Sequence, residues 1–423
     1  MRPGVPVKFS VIEQSKPRKH ASVGRKFAGI HTGKALFHTA GIVQPGVAVR
    51  GNGFPVAYTF ISSQPLALTT NNSGSSDAGT RVMAPNRFLY IICPLKYPRN
   101  RNQRMKYILG AYATAPMTET WQPEVQEKYL NGIKQLGNLR GLEHPFTGQL
   151  HAHDDDWFLG NIDPEWDFVF TGVPGVMGRL GKNAAFGIAS DDEAGRAEGV
   201  EFYRQMHAAV LKLNMHLGRN GVEAVQLHTS PNRTAAQSSV VSLRHSLEEI
   251  TSWDWSGANL VIEHCDAFVE GLKPEKGFLS VQEEIDCLLE MNQDREQKLG
   301  ICINWGRSAL ETRSVEGPLE HLRLVREAGL LRGLMYSGIS DVETPYGVWR
   351  DTHMPPAEVF KGGQFAEGSL LTREQLALTL EAADWQKLDY LGAKIGVRPT
   401  DLDAASRVAY NRDCLAALDL LTK

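Results

Sequence analysis

No run of about 18 uninterrupted apolar residues occurs in this chain, so no segment reads as a membrane-spanning helix. Cysteine is scarce. Cys93, Cys265, Cys287, Cys302 and Cys414 are five, an odd number, widely spaced and without a CxxC pair. That excludes a disulfide framework and a zinc ribbon, and it suits a reducing compartment, so a cytoplasmic location is expected. Acidic residues are nearly missing from the first 104 positions, which hold 15 Lys and Arg against only Glu13 and Asp77. Residues 105–423 hold 30 against 46, so net charges of +13 and −16 make up the overall −3.

The charge break divides the chain into a basic extension, 1–104, and an acidic globular portion, 105–423. The extension is rich in Gly, Pro, Ser and Thr, lacks a sustained helical or alternating period, and contains a linker-like Asn71-Asn-Ser-Gly-Ser-Ser-Asp-Ala-Gly-Thr80. A targeting arm and a nucleic-acid arm are weighed against an upstream extension of low order, with Met105 as the natural start, and the last is the expectation. The remaining residues, in a chain with 42% apolar and 22% charged content, suffice for one large α/β domain.

From Met105 on, short β-rich runs alternate with helical segments. The runs at 107–114, 149–153, 167–172, 224–229, 259–265, 300–305, 333–337 and 389–395 are strand candidates. Several are apolar throughout, as strands covered on both faces are. Between them, Val200, Tyr203, Met206, Val210, Leu213 and Leu217 form one helical stripe. Ser190-x-x-Glu193, Ser280-x-x-Glu283 and Thr372-x-x-Gln375 have capping-box spacing. Eight such alternations predict a (β/α)₈ TIM barrel. A doubly wound sheet is the rival, but Ala111-Tyr-Ala-Thr-Ala-Pro116 after the first strand carries neither GxGxxG nor a Walker sequence.

Barrel chemistry sits where strands end at the C-terminal rim. Those ends offer His151 and His153, His228, Glu263 and His264, Asn304 and Arg307, Tyr336 and Ser337, and Lys394. Alternation places His151 and His153 on one strand face, as two metal ligands or two hydrogen-bonding groups would be. Glu263 closes an apolar run and reads as a general base, a metal ligand or half of an ion pair. Lys394 reads as a catalytic ammonium or its structural partner. His264 points away from Glu263. The long loop after strand seven carries Tyr346, Trp349, Arg350, Asp351 and His353, which suit a sugar ring or an anion. Arg307 and Arg313 are further anion candidates.

Leu260-Val-Ile-Glu263, followed by an acidic helix from Ser280, resembles the xylose isomerase-like TIM barrels, which include sugar isomerases and ketose epimerases. The opening Met105-Lys-Tyr-Ile-Leu-Gly-Ala-Tyr-Ala-Thr-Ala-Pro116 resembles a bacterial branch of them without assigned activity. Epimerases of that superfamily hold a divalent ion with acidic and His side chains on strands five to eight. The resemblance carries only Glu263 over. Asn304, Ser337 and Lys394 stand at the other positions, and an ammonium repels a cation, so the usual metal set is not matched and the cofactor stays open.

The leading expectation is a carbohydrate-processing enzyme of isomerase or epimerase type. Glu263 is its acid/base group, Lys394 stabilises negative charge, and His151, His153 and His228 orient hydroxyls or carry protons. Asn304, Arg307, Tyr336, Trp349, Arg350 and His353 are the substrate-binding candidates. Alternatives are a metal-dependent hydrolase built on His151 and His153 and a non-catalytic sugar-binding barrel. The partner is a small sugar-like molecule. A nucleic acid is disfavoured by the −16 charge of 105–423, no membrane contact is expected, and a homo-oligomer is left open.

Overall fold

Eight parallel strands close on themselves in chain order in the computed structural model, which describes residues 107–423. The calls on 1–104 lie outside the described residues. The strands are β1 (Tyr107–Leu109), β2 (Leu139–Pro145), β3 (Asp167–Thr171), β4 (Val222–Leu227), β5 (Asn259–His264), β6 (Gly300–Asn304), β7 (Leu331–Tyr336) and β8 (Tyr390–Ala393). Around them run α1 (Pro123–Ile133), α2 (Asp155–Asn161), α3 (Val173–Leu180), α4 (Glu193–Leu217) and α5 (Val240–Ile250). The ring continues with α6 (Val281–Met291), α7 (Trp305–Thr312), α8 (Glu316–Glu327), α9 (Arg373–Ala383) and α10 (Ala404–Leu421). This is the expected (β/α)₈ barrel. No helix among the described residues is long and apolar enough to cross a membrane.

Strand two lies earlier than the sequence pattern suggested. Residues 149–153 are bends beyond its end, and β2 is Leu139-Arg-Gly-Leu-Glu-His-Pro145. Its Gly141 is obligatory, because a Cβ there would sit 1.8 Å from the Asp167 carbonyl oxygen on β3. At the start of α4 the N-cap is Asp192, inside the expected box, whereas Ser280 and Glu283 do form a reciprocal box on α6 and Thr372 caps α9.

Two apolar shells result. The larger fills the space between strands and helices and includes the Val200, Tyr203, Met206, Val210 and Leu213 stripe of α4. A small inner plug of Ile108, Val169, Ala224, Val261, Cys302, Met335 and Tyr390 blocks the barrel axis. Because side chains alternate, inward positions two residues further along become Gly110, Thr171, Gln226, Glu263, Asn304 and Ser337. The interior therefore changes from apolar to polar on the way to the C-terminal rim, and that gradient positions the site.

His144 of β2 faces the outer shell, packed against Phe158, Phe168 and Phe170 and bonded through Nε2 to the Leu150 carbonyl. Burial pushes its pKa down to about 4. The unfolded chain protonates this imidazole near pH 6.5 and the folded one does not, so its contribution is present above about 6.5 and lost as pH falls through about 4. That shift corresponds to on the order of 3 kcal/mol. In denaturant titrations between pH 7 and 4, His144→Leu is expected to flatten the acid limb by about that amount. An unaltered slope would remove His144 from the account.

Candidate active site

Lys394 follows β8 and turns inward, where its Nζ lies 2.9 Å from Glu143 Oε2 on β2 and 3.1 Å from Glu263 Oε1 on β5. All three side chains are fully buried. Room for the lysine stem comes from Gly110, where a Cβ would stand 2.7 Å from Lys394 Cβ. The second oxygen of Glu263 meets Arg307 Nη1 at 2.8 Å and His228 Nε2 at 2.9 Å, and accepts from Thr171 Oγ1 at 3.3 Å. Glu143 Oε1 accepts from Gln226 Nε2, which also reaches the Tyr390 hydroxyl. Five strands thus converge on one pair of carboxylates.

Electrostatics separate that pair. Burial raises the Glu143 pKa, and the nearby Glu263 charge adds to this against the pull of Lys394. Burial also opposes ionisation of Glu263, but Arg307, Lys394 and His228 hold it well below the usual carboxylate range. Lys394 is disfavoured by burial, yet Glu143 and Glu263 keep it above the ordinary lysine value and charged. His228 is lowered by burial despite its carboxylate neighbour, and so is neutral. Tyr203 Oη accepts from the His228 backbone N–H at 2.8 Å, which directs its hydroxyl proton to His228 Nδ1. The remaining tautomer donates from Nε2 to Glu263.

A loop closes on this group. Asp351, from the segment after β7, accepts from Arg307 Nε at 3.2 Å and pairs with Lys276. His353 Nδ1 lies 3.3 Å from Asp351 Oδ1. Burial works against the Asp351 charge, but Lys276, His353 and Arg307 hold its pKa well below normal. The Tyr112 hydroxyl and the Asn304 Nδ2 amide are buried without hydrogen-bond partners. Tyr112 lies beside the cluster, its ring 6.0 Å from Lys394 Nζ. Buried donors without partners at a strand-end rim suit ligand contacts.

The structure brings Glu263, Lys394, His228 and Arg307 together, with Asn304 and His353 close by. His151 and His153 are elsewhere. They sit in the loop after β2, where His153 is exposed and stacks on Trp121 with ring centroids 5.1 Å apart. His151 packs on Phe158, and its two nitrogens engage the Asp154 backbone N–H and the Gln126 amide. The shared strand face expected for them does not exist, because the strand has already ended. The adjacent Asp154–Asp156 run starts α2, Asp154 capping it and Asp155 pairing with Lys212. Tyr336 also departs from expectation. Met335 faces the barrel axis, so Tyr336 points out and bonds Thr379 Oγ1 and the Leu376 carbonyl on α9. Trp349 lies under the Arg313 guanidinium, and the exposed Arg350 pairs with Glu275, so neither turns to the cluster.

Glu143 and Tyr112 were missed. The Leu142-Glu-His144 stretch is apolar, acid, imidazole, as in Ile262-Glu-His264, and this repeat was the available signal. The metal position implied by the resemblance does not fit the donor set found. An ammonium occupies the space beside Glu263, and Asn304 is engaged by Ser337, whose Oγ donates to its Oδ1 at 2.8 Å.

Comparison with known proteins follows the barrel. The chain is 34% identical over 322 residues to the uncharacterized protein STM3670 of Salmonella typhimurium, covering 75% of this chain and 98% of that protein. Among solved structures it is similar to a D-tagatose 3-epimerase-like protein, at 14% identity and a TM-score of 0.47 over 75% of this chain and 98% of that one. It is also similar to a xylose isomerase domain protein from Alicyclobacillus acidocaldarius, at 12% identity and a TM-score of 0.43 over 75% and 99%. Residues 108–410 match the model of DUF4862, described as a domain of unknown function, and the chain belongs to that family.

Proposed function

We propose that this barrel is a carbohydrate-processing enzyme of isomerase or epimerase type, moving a proton beside a carbonyl by acid–base chemistry without the divalent ion of related epimerases. One observation carries the proposal. Two buried carboxylates share one ammonium, and their surroundings drive their acidities apart, with Glu143 raised and Glu263 lowered. Such divergence sorts acid–base roles in enzymes.

Glu263 was the expected base, but an anion facing Arg307, Lys394 and His228 is a weak one. Glu143 therefore takes the proton, and Glu263 fixes the two cations. Lys394 lies between them, positioned to stabilise the negative charge that develops on a carbonyl oxygen when the neighbouring carbon loses its proton. Asn304 and Tyr112 supply polar contacts to hydroxyls, His228 holds Glu263 in place, and the Asp351 loop excludes water once closed.

The test is turnover of a panel of sugars and sugar phosphates by the parent chain, Glu263→Ala and Lys394→Ala. The expected result is conversion of at least one member by the parent and a loss of about 10²-fold or more in each variant. Unchanged turnover in both variants would end the proposal. Binding without conversion would favour the non-catalytic sugar-binding barrel.

A further inference from the structure

Behind β5, on the side opposite Glu263, lies a second buried constellation that the proposed chemistry does not use. His264 Nδ1 meets Glu284 Oε2 of α6 at 2.8 Å, and its Nε2 meets Glu311 Oε2 of α7 at 3.0 Å. Across Glu311, His321 of α8 directs Nε2 to Oε1 at 3.6 Å, while its Nδ1 bonds Ser308 Oγ at 3.0 Å. One ligand atom from each of His264, Glu311 and His321 lies within 4.8 Å of the other two, and among the described residues no other group of three or more His, Cys, Asp or Glu does this.

The geometry points to a buried site for a divalent ion of zinc type, bound by His264 Nε2, His321 Nε2 and the Glu311 carboxylate. Three independent features support it. Zinc bonds of about 2.0–2.1 Å at tetrahedral angles separate neighbouring ligand atoms by roughly 3.3 Å, and each imidazole stands near that spacing from its own Glu311 oxygen, His264 Nε2 at 3.0 Å from Oε2 and His321 Nε2 at 3.6 Å from Oε1. Each imidazole is anchored through Nδ1 by a separate partner, Glu284 for His264 and Ser308 for His321, which is how ligating histidines are oriented. Glu284 is itself held by Thr229 Oγ1 at 2.8 Å, and Glu311 by the Ala267 backbone N–H at 2.8 Å.

Charge is the third feature. Glu284 and Glu311 are two carboxylates in an enclosed pocket whose other ionisable members are two imidazoles. One added proton offsets one carboxylate, whereas a divalent ion offsets both. Two nitrogens and one carboxylate oxygen suit Zn²⁺ better than Mg²⁺ or Ca²⁺, which prefer all-oxygen shells. The ion would pin α7 and α8 to the end of β5, directly behind Glu263. The site does not depend on the reaction proposed above.

The test uses the full chain after chelator treatment, titrated with Zn²⁺ and separately with Co²⁺. One ion per chain is expected, with a rise in Tm and visible Co²⁺ absorption of low-coordinate type. Ser308→Ala, which disturbs only an orienting hydroxyl, should weaken binding by 10- to 100-fold, the range seen when such partners are removed. His321→Ala should abolish binding, and wild-type Co²⁺ spectra keep the test decisive if that variant fails to fold. No bound ion, an affinity unaltered in Ser308→Ala, or loss of the ion on His151→Ala instead would overturn the site.

Discussion

Lys394→Met should destabilise the fold by roughly 3–5 kcal/mol, the usual cost of removing one partner from a buried ionic group. The loss has a specific form. Without the ammonium, Glu143 and Glu263 face each other in a site that excludes water, and Glu263 alone keeps a cation, Arg307, together with the hydrogen bond from neutral His228. Glu143 is then a buried carboxylate whose nearest positive charge has gone. Adding Glu143→Gln to Lys394→Met should recover a large part of the lost stability, since an amide needs no counter-ion. A double-mutant cycle in denaturant isolates this coupling, expected in the 0.5–3 kcal/mol range of neighbouring residues or above it. Additive effects would mean that the two groups do not share one electrostatic site.

The second large effect falls on catalysis and leaves the fold intact. Glu143→Gln should reduce turnover by about 10²- to 10⁴-fold, the contribution of a positioned proton carrier, with no loss of Tm at neutral pH. The sign follows from linkage. Glu143 has a folded pKa raised above 4.5 by burial. Whatever it contributes to stability is fully present below about 4.5 and is lost as pH rises through the raised value, so the neutral amide removes a strain present at pH 7. For the parent, a base must be ionised to act, so kcat/KM should climb with pH through the raised Glu143 value. That climb should vanish in the residual activity of Glu143→Gln. A matching fall in both Tm and turnover would assign Glu143 a structural role instead.

Strand alternation made much of this legible from sequence. Leu260-Val-Ile-Glu263 announces both a buried strand and an inward carboxylate, and the same parity separates Glu263 from His264. β2 was illegible for a physical reason. Its Arg140 pairs with Asp167 and Glu223 at the strand's other end, its glycine is demanded by the Asp167 backbone, and Pro145 closes it. Each residue has a tertiary cause that local pattern does not display, whereas the neighbouring Leu150-His-Ala-His153 alternates without being a strand. That single displacement moved attention from Glu143 to two loop histidines. Tyr336 reads as a rim residue from its place at the end of strand seven, but it is one residue out of phase with Met335, which faces the axis. Arg307 and Asp351 are distant in sequence, and only barrel closure brings them together.

The most direct measurement follows hydrogen at the carbon beside the substrate carbonyl by proton NMR in D₂O. With the parent chain, at least one sugar or sugar phosphate is expected to exchange that hydrogen for deuterium, and the exchange should disappear in Glu143→Gln. Full retention of the hydrogen across the panel by folded parent protein, or exchange that persists undiminished in Glu143→Gln, would contradict proton transfer at the Glu143–Lys394–Glu263 group.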